Sequence, residues 1–162
     1  MVLVPAVVSA VSIPVIAAGG IAGGRQMLAA MVMGAEGVQM GSRFVASEEA
    51  SSHINFKNRV IHTKEGDTAL TMKQLTPVRV IRNKFYDQVQ EAEWRGATPA
   101  ELKALLGKAR AKKGMFEGNL EEGELEIGQV SALLDRILPA GEIVQNVWNE
   151  FREALFNPVK KL

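Results

Sequence analysis

Two short runs in this chain could hold an anion: Ala18-Gly19-Gly20 and Gln39-Met40-Gly41-Ser42. Each closes an apolar stretch, Ile13-Pro14-Val15-Ile16-Ala17 in the first case and Val38 to Met40 in the second. A phosphate needs several donors converging within hydrogen-bond distance. Glycine leaves its backbone N–H open to such an approach. Ser42 adds a hydroxyl beside a backbone donor, and the start of the following helix would add a partial positive charge. The same glycines would also serve as tight strand-to-helix turns with no ligand at all, and spacing alone leaves both readings open.

Other chemistry is thinner. The glycines do not make a dinucleotide fingerprint: with Gly20 and Gly23 as its second and third glycines, Ala18 stands where the first belongs. There is no Walker lysine. Only His53 and His62 could act as imidazole bases, and each lies in a polar stretch past the loops, read as helix surface. A general base must reach the proton it takes, and nothing in the spacing brings either one there. Arg43 directly follows the second loop, where it would either neutralise phosphate charge or pair with Glu36 or Glu49. The basic run Arg110, Lys112, Lys113 and the acidic run Glu121, Glu122, Glu124 read as solvated faces. Most methionines, with Trp94 and Trp148, read as core. No cysteine is present, which removes disulfides, thiolate metal sites and thiol nucleophiles. No metal is expected, and a reducing, cytoplasmic setting fits.

The elements that must position the loops follow from periodicity. The order is strand, glycine loop, helix (Ala22 to Met33), strand, glycine loop. Parallel strands joined this way leave both loops at one end. Ile13 to Ala17 is uniformly apolar, as in a strand buried on both faces. Val2 to Val11 predicts a helix with Leu3, Val7, Ala10 and Val11 on one side. Met27, Leu28, Met31 and Val32 predict the inner stripe of the next helix. A helical segment starts at Ser47, Thr68 to Met72 predicts a short strand, and Pro77 opens a helix carrying Val78, Ile81, Phe85 and Val89. Thr98-Pro99 starts a short charged helix from Ala100 to Lys113. Gly114 to Gly123 reads as loop. Leu125 to Ile137 and Ile143 to Phe151 read as amphipathic helices, and the tail from Asn157 is expected to fray.

The chain has 162 residues, enough for one sizeable core. Its net charge of +1 favours neither nucleic acid nor an anionic membrane as partner. The apolar start has no basic residue before Arg25 and is interrupted by Pro5, Ser9, Ser12 and Pro14, so neither a signal peptide nor a membrane span is expected.

Ile13-Pro14-Val15-Ile16-Ala17-Ala18-Gly19-Gly20-Ile21 and Gly34-Ala35-Glu36-Gly37-Val38-Gln39-Met40-Gly41-Ser42-Arg43-Phe44 resemble the carboxyl-terminal half of the nitronate monooxygenase family. That family was formerly called 2-nitropropane dioxygenase and includes the flavin-dependent enoyl-ACP reductase II. The resemblance continues through Asn55-Phe56-Lys57, Arg110 to Gly114 and Gly123 to Gln129. It implies an α/β chain forming the C-terminal part of a TIM-type (β/α)8 barrel, with a helix-rich extension. Residues 1–46 would be the last βα units, and residues 47–162 a helical region packing on the barrel. It implies FMN as cofactor, with its phosphate between Ala18, Gly19, Gly20 and Gln39, Met40, Gly41, Ser42. By its own position, after Gly128 at an expected helix start, Gln129 would be a residue that could approach such a flavin. The implied reaction is oxidation of nitronates or nitroalkanes with O2. The alternatives are reduction of an enoyl thioester by NAD(P)H through FMN, or FMN-phosphate binding without catalysis. Ala22-Gly23-Gly24 departs from the family's Ala-Asp-Gly and so lacks a carboxylate near the helix start. Ser42 stands where threonine is frequent. The family's Gly-Gly-His segment, which carries its catalytic histidine, has no counterpart here, and a complete barrel needs about 250 residues. The expectation is an amino-terminally truncated chain whose open sheet edges favour a homo-oligomer.

Overall fold

The computed structural model describes residues 1–158. Its elements are α1 (Leu3–Ala10), β1 (Ile16–Ala18), α2 (Gly24–Val32), β2 (Gly37–Gln39), α3 (Ser42–Val45), α4 (Ile54–Ile61), β3 (Thr68–Thr71), β4 (Val78–Ile81), α5 (Lys84–Trp94), α6 (Pro99–Leu106) and α7 (Ala140–Phe156). A π-helical turn covers Lys112–Phe116 and a 3-10 turn covers Gln129–Leu133. The fraying expected from Asn157 concerns mainly residues 159–162, which lie outside the described residues.

β1 and β2 pair in parallel, with Ile16 opposite Gly37, Ala17 opposite Val38 and Ala18 opposite Gln39. The helix between them, α2, lies along α7. That contact depends on Gly24: a Cβ there would run into the backbone of α7 at the Val147 carbonyl and the Phe151 amide. Ala17, Ile21, Ala30 and Ala35 form the small core under this unit. A second core joins Ala46, Phe56, Val60, Ile81, Leu125, Ile127 and Leu134, drawn from both sides of residue 46. A third holds Met72, Phe85, Val89, Ala92 and Leu102. Arg110 ties the last to its surroundings. Its guanidinium lies 4.5 Å from the Phe85 ring centroid and donates to the carbonyls of Leu105 and Glu122.

Several sequence expectations are corrected. The run Ile13 to Ala17 is not buried on both faces: Ile13 is 69% and Ile16 56% exposed, and only Ala17 is buried. β1 has β2 as its one partner among the described residues, so the opposite edge and the face that carries Ile16 and Ala18 stay open. α1 packs through Val4 and Val8, and Leu3 and Val7 face outward. On α2 the buried positions are Gly24 and Ala30, while Val32 is 78% exposed. Gly24 faces the backbone of α7, and Ala30 faces the core formed with Ala17, Ile21 and Ala35. The helix expected from Pro77 begins only at Lys84. Val78-Arg79-Val80-Ile81 pairs with Thr68–Thr71 as an antiparallel hairpin instead. Asn83 marks the true start of α5, its Oδ1 accepting the Tyr86 N–H at 2.9 Å. Trp94 and Trp148 are exposed, not core.

The stretch from Leu125 was read with the wrong period. Glu124 to Ile127 is extended and runs antiparallel to β4. The Ile81 N–H donates to the Leu125 carbonyl at 2.9 Å, and the Ile127 N–H donates to the Arg79 carbonyl at 3.0 Å. Alternation then sends Leu125 and Ile127 into the second core and Glu124 and Glu126 to the other face. Glu124, expected on a solvated face, is 6% exposed.

Candidate functional site

The register of β1 against β2 sets the two glycine loops side by side, because Ala18 and Gln39 are partners at the strand ends. Gly19 and Gly20 adopt left-handed φ values of 92° and 73°, which a side chain would strain. Nothing lies within 4 Å of where a Cβ would stand on Gly19, Gly20 or Gly41. The N–H groups of these three glycines make no hydrogen bond to described residues. Ala18, Gly19, Gly20, Gln39 and Gly41 are exposed, and Met40 and Ser42 are half-buried.

The start of α2 contributes less than expected. Gln26 Oε1 accepts the N–H groups of Ala22 and Gly23, at 2.8 and 2.9 Å. The Gly24 N–H donates to Glu150 Oε2 at 2.8 Å. The carboxylate that the resemblance marks as missing from position 23 is thus supplied by α7, 126 residues away in sequence. With these amides engaged, the first loop offers Gly19 and Gly20 as its open donors.

The second loop is held from behind by Gly128, which follows the extended segment Glu124 to Ile127. Ser42 Oγ accepts the Gly128 N–H at 3.0 Å, which leaves the hydroxyl proton free to donate elsewhere. Arg43 is buried and follows neither expected course. Its Nη1 donates to the Arg136 carbonyl at 3.2 Å, and Glu49 instead accepts the Ala140 N–H at 2.8 Å. Burial pushes the Arg43 guanidinium below its ordinary value, with nearby Asp135 acting in the opposite direction. Arg43 therefore ties α3 to the Asp135-Arg136 turn and does not face the loops' open amides.

Gly20 and Gly41 line different clefts. Gly20 shares one with Gln26, Glu65, Gln129 and Val130. Gly41 and Ser42 share another with Arg79, Glu126 and Gly128. The Gly128-Gln129 peptide links the two, with Gly128 on one side and Gln129 on the other. Neither histidine lines either cleft. His53 caps α4, its Nδ1 accepting the Asn55 N–H at 3.1 Å, and His62 Nδ1 lies 2.7 Å from the Asn58 carbonyl. Sequence reasoning missed Gln26, Glu150 and Gly128. Gln26 carried a signal, since a glutamine three residues after an N-cap is the spacing of a capping box. Glu150 and Gly128 act across long sequence separations and carried none.

Residues 1–150 match the family model described as nitronate monooxygenase. The chain belongs to that family. A probable nitronate monooxygenase of Staphylococcus aureus strain MSSA476 is 38% identical, over 94% of this chain and 43% of its own. FabK from Thermotoga maritima superposes with a TM-score of 0.90 at 41% identity, over 96% of this chain and 50% of that one. The nitroalkane oxidase from Streptomyces ansochromogenes gives 0.78 at 29% identity, over 97% and 44%. The chain thus spans less than half the length of the curated relative, and its α/β architecture is that of a partial TIM-type barrel. No described helix is long and apolar enough to cross a membrane. No described group of His, Cys, Asp and Glu could hold a metal ion.

Proposed function

We propose that this chain carries the phosphate seat of an FMN-dependent oxidoreductase that oxidises nitronates or nitroalkanes with O2. The observation that supports it is the pair of open-amide glycine loops at register-matched ends of parallel strands. The fit to a phosphate is chemical: backbone N–H groups free of other partners, a hydroxyl with a proton to give, and no side chain in the way. The two loops line different clefts, so the seat would lie between these at the strand ends, over the Ala18–Gln39 pair: Gly19 and Gly20 would hold the phosphate from one side and Gly41 and Ser42 from the other, with Ala18, Gln39 and Met40 shaping the loops. Hydrogen bonds to a dianion are worth about 1.5–3 kcal/mol each, so a few such donors suffice for a stable seat. FMN, once bound, supplies electron transfer between substrate and oxygen. The chain's own residues bind and orient; neither histidine stands where it could take a substrate proton. A reducing compartment such as the cytoplasm accords with the cysteine-free sequence.

The test is a titration followed by flavin fluorescence. FMN should bind at least about tenfold more tightly than riboflavin, which has the same ring and no phosphate. Equal binding of the two overturns the seat. Nitronate-dependent oxygen consumption, set against NADH oxidation with an enoyl thioester, separates the proposed reaction from the alternative within the family. Flavin retention with neither activity identifies a binding module.

A further inference from the structure

A third cleft, which shares Val78 and Glu126 with the Gly41 cleft, has a volume of about 440 Å³ and lies between the β3–β4 turn, α6 and the extended segment 124–126. One wall is apolar, with Met72, Val78 and Leu106. The other carries Glu124 and Glu126, which share a face because they stand two residues apart on an extended segment. Glu124 is 6% exposed, and its carboxyl makes no hydrogen bond or ion pair among the described residues; its oxygens are not fully enclosed and keep their small exposure on the cleft they line. Lys103 lines the cleft as well but lies on an exposed stretch of α6 and pairs with neither carboxyl. A carboxylate opening on so apolar a cleft is poorly solvated, and a cation seated beside it would offset that cost. Met72 adds a local peculiarity: it is buried and holds a left-handed φ of 56°.

We propose that this cleft is a binding site for a small organic cation with an aliphatic body, a primary alkylammonium in its simplest form. The ammonium would pair with Glu124, with Glu126 adding negative potential, and the alkyl chain would lie on Met72, Val78 and Leu106. An inorganic cation would leave that apolar wall wet, and a neutral alcohol would leave the carboxyl unpaired.

The probe is n-hexylammonium, read on the full chain labelled with 13C at the methionine methyls. Met72 reports on this cleft, while Met27 and Met40 report on a separate apolar groove. At pH 8, where the Glu124 carboxyl is ionised, hexylammonium should shift the Met72 signal saturably, n-hexanol should bind there about tenfold more weakly or worse, and Glu124→Gln should lower hexylammonium affinity about tenfold. Equal binding of the alcohol, undiminished binding by the variant, shifts confined to Met27 and Met40, or no Met72 shift at all would each overturn the proposal. Should Glu124→Gln fail to fold, Glu126→Gln serves in its place, with a loss of at least about threefold expected and unchanged affinity counting against the site.

Discussion

At the scale of single residues, two side chains carry the sharpest consequences. Ser42 accepts from Gly128 and keeps a proton to donate. Ser42→Ala should weaken FMN binding about tenfold, and Ser42→Thr should retain it, by fluorescence titration. Glu124 is a different case. Burial, with Glu126 beside it, pushes its carboxyl up to about 7, and Arg110 acts in the opposite direction. Its folded value therefore lies above the ordinary carboxyl range. Between about pH 4.5 and 7 the folded chain keeps a proton that the unfolded chain has lost, so this group's contribution to stability falls as pH rises across that window. Glu124→Gln should raise the melting temperature by a few degrees at pH 8 and by little or nothing at pH 4, in thermal scans at both values. The two glycine turns after the apolar runs were legible from residue types; whether they take a ligand was not, since a tight strand-to-helix turn uses glycine in the same way. Glu124 was not legible as a buried group, because acidic neighbours at Glu121 and Glu122 gave the run the look of a solvated surface.

At the scale of elements, the start of α2 shows how a distant helix replaces a local cap. A Cβ on Gly23 would stand 2.6 Å from Glu150 Oε2. Gly23→Asp should therefore set two carboxylates against each other and destabilise the chain. Glu150→Ala should cost about 1 kcal/mol through the lost Gly24 hydrogen bond. The double variant should recover stability relative to the sum of the two, a coupling of about 1 kcal/mol or more in urea denaturation. Additive effects would show that the two carboxylates do not exchange roles. Gly24→Ala has no such remedy, because its methyl meets backbone; a loss of about 1–3 kcal/mol is expected by the same assay. The sequence was legible for the existence of the helix at the start, the two parallel strands and the cap at Thr98, where local chemistry decides, but α6 stops at Leu106 before Gly107, with its left-handed φ of 64°, and does not run to Lys113. It misled at Val78–Ile81 and at Glu124–Ile127. Both runs are short and fit a helical or an extended period, and only pairing across the sheet selects between them.

At the scale of the whole molecule, burial is uneven. Met1, Val2, Leu3, Ile13 and Ile16 are all exposed around α1 and the open edge of β1. Such a surface beside an unpaired strand invites association. Size-exclusion chromatography should show an apparent mass that rises with concentration, and Ile13→Lys with Ile16→Lys should abolish the rise; a monomer at every concentration would count against the open edge. The contact of α2 with α7 has a consequence in time as well as in space. Gly24 and Glu150 are 126 residues apart, so during synthesis α2 emerges long before the partner that caps and covers it. At roughly 5–20 residues per second the wait lasts several seconds. Through that interval the start of α2 lacks the carboxylate and the cover that α7 brings, and the β1–loop–α2 unit of the ribosome-bound chain relies on whatever holds nascent polypeptides apart.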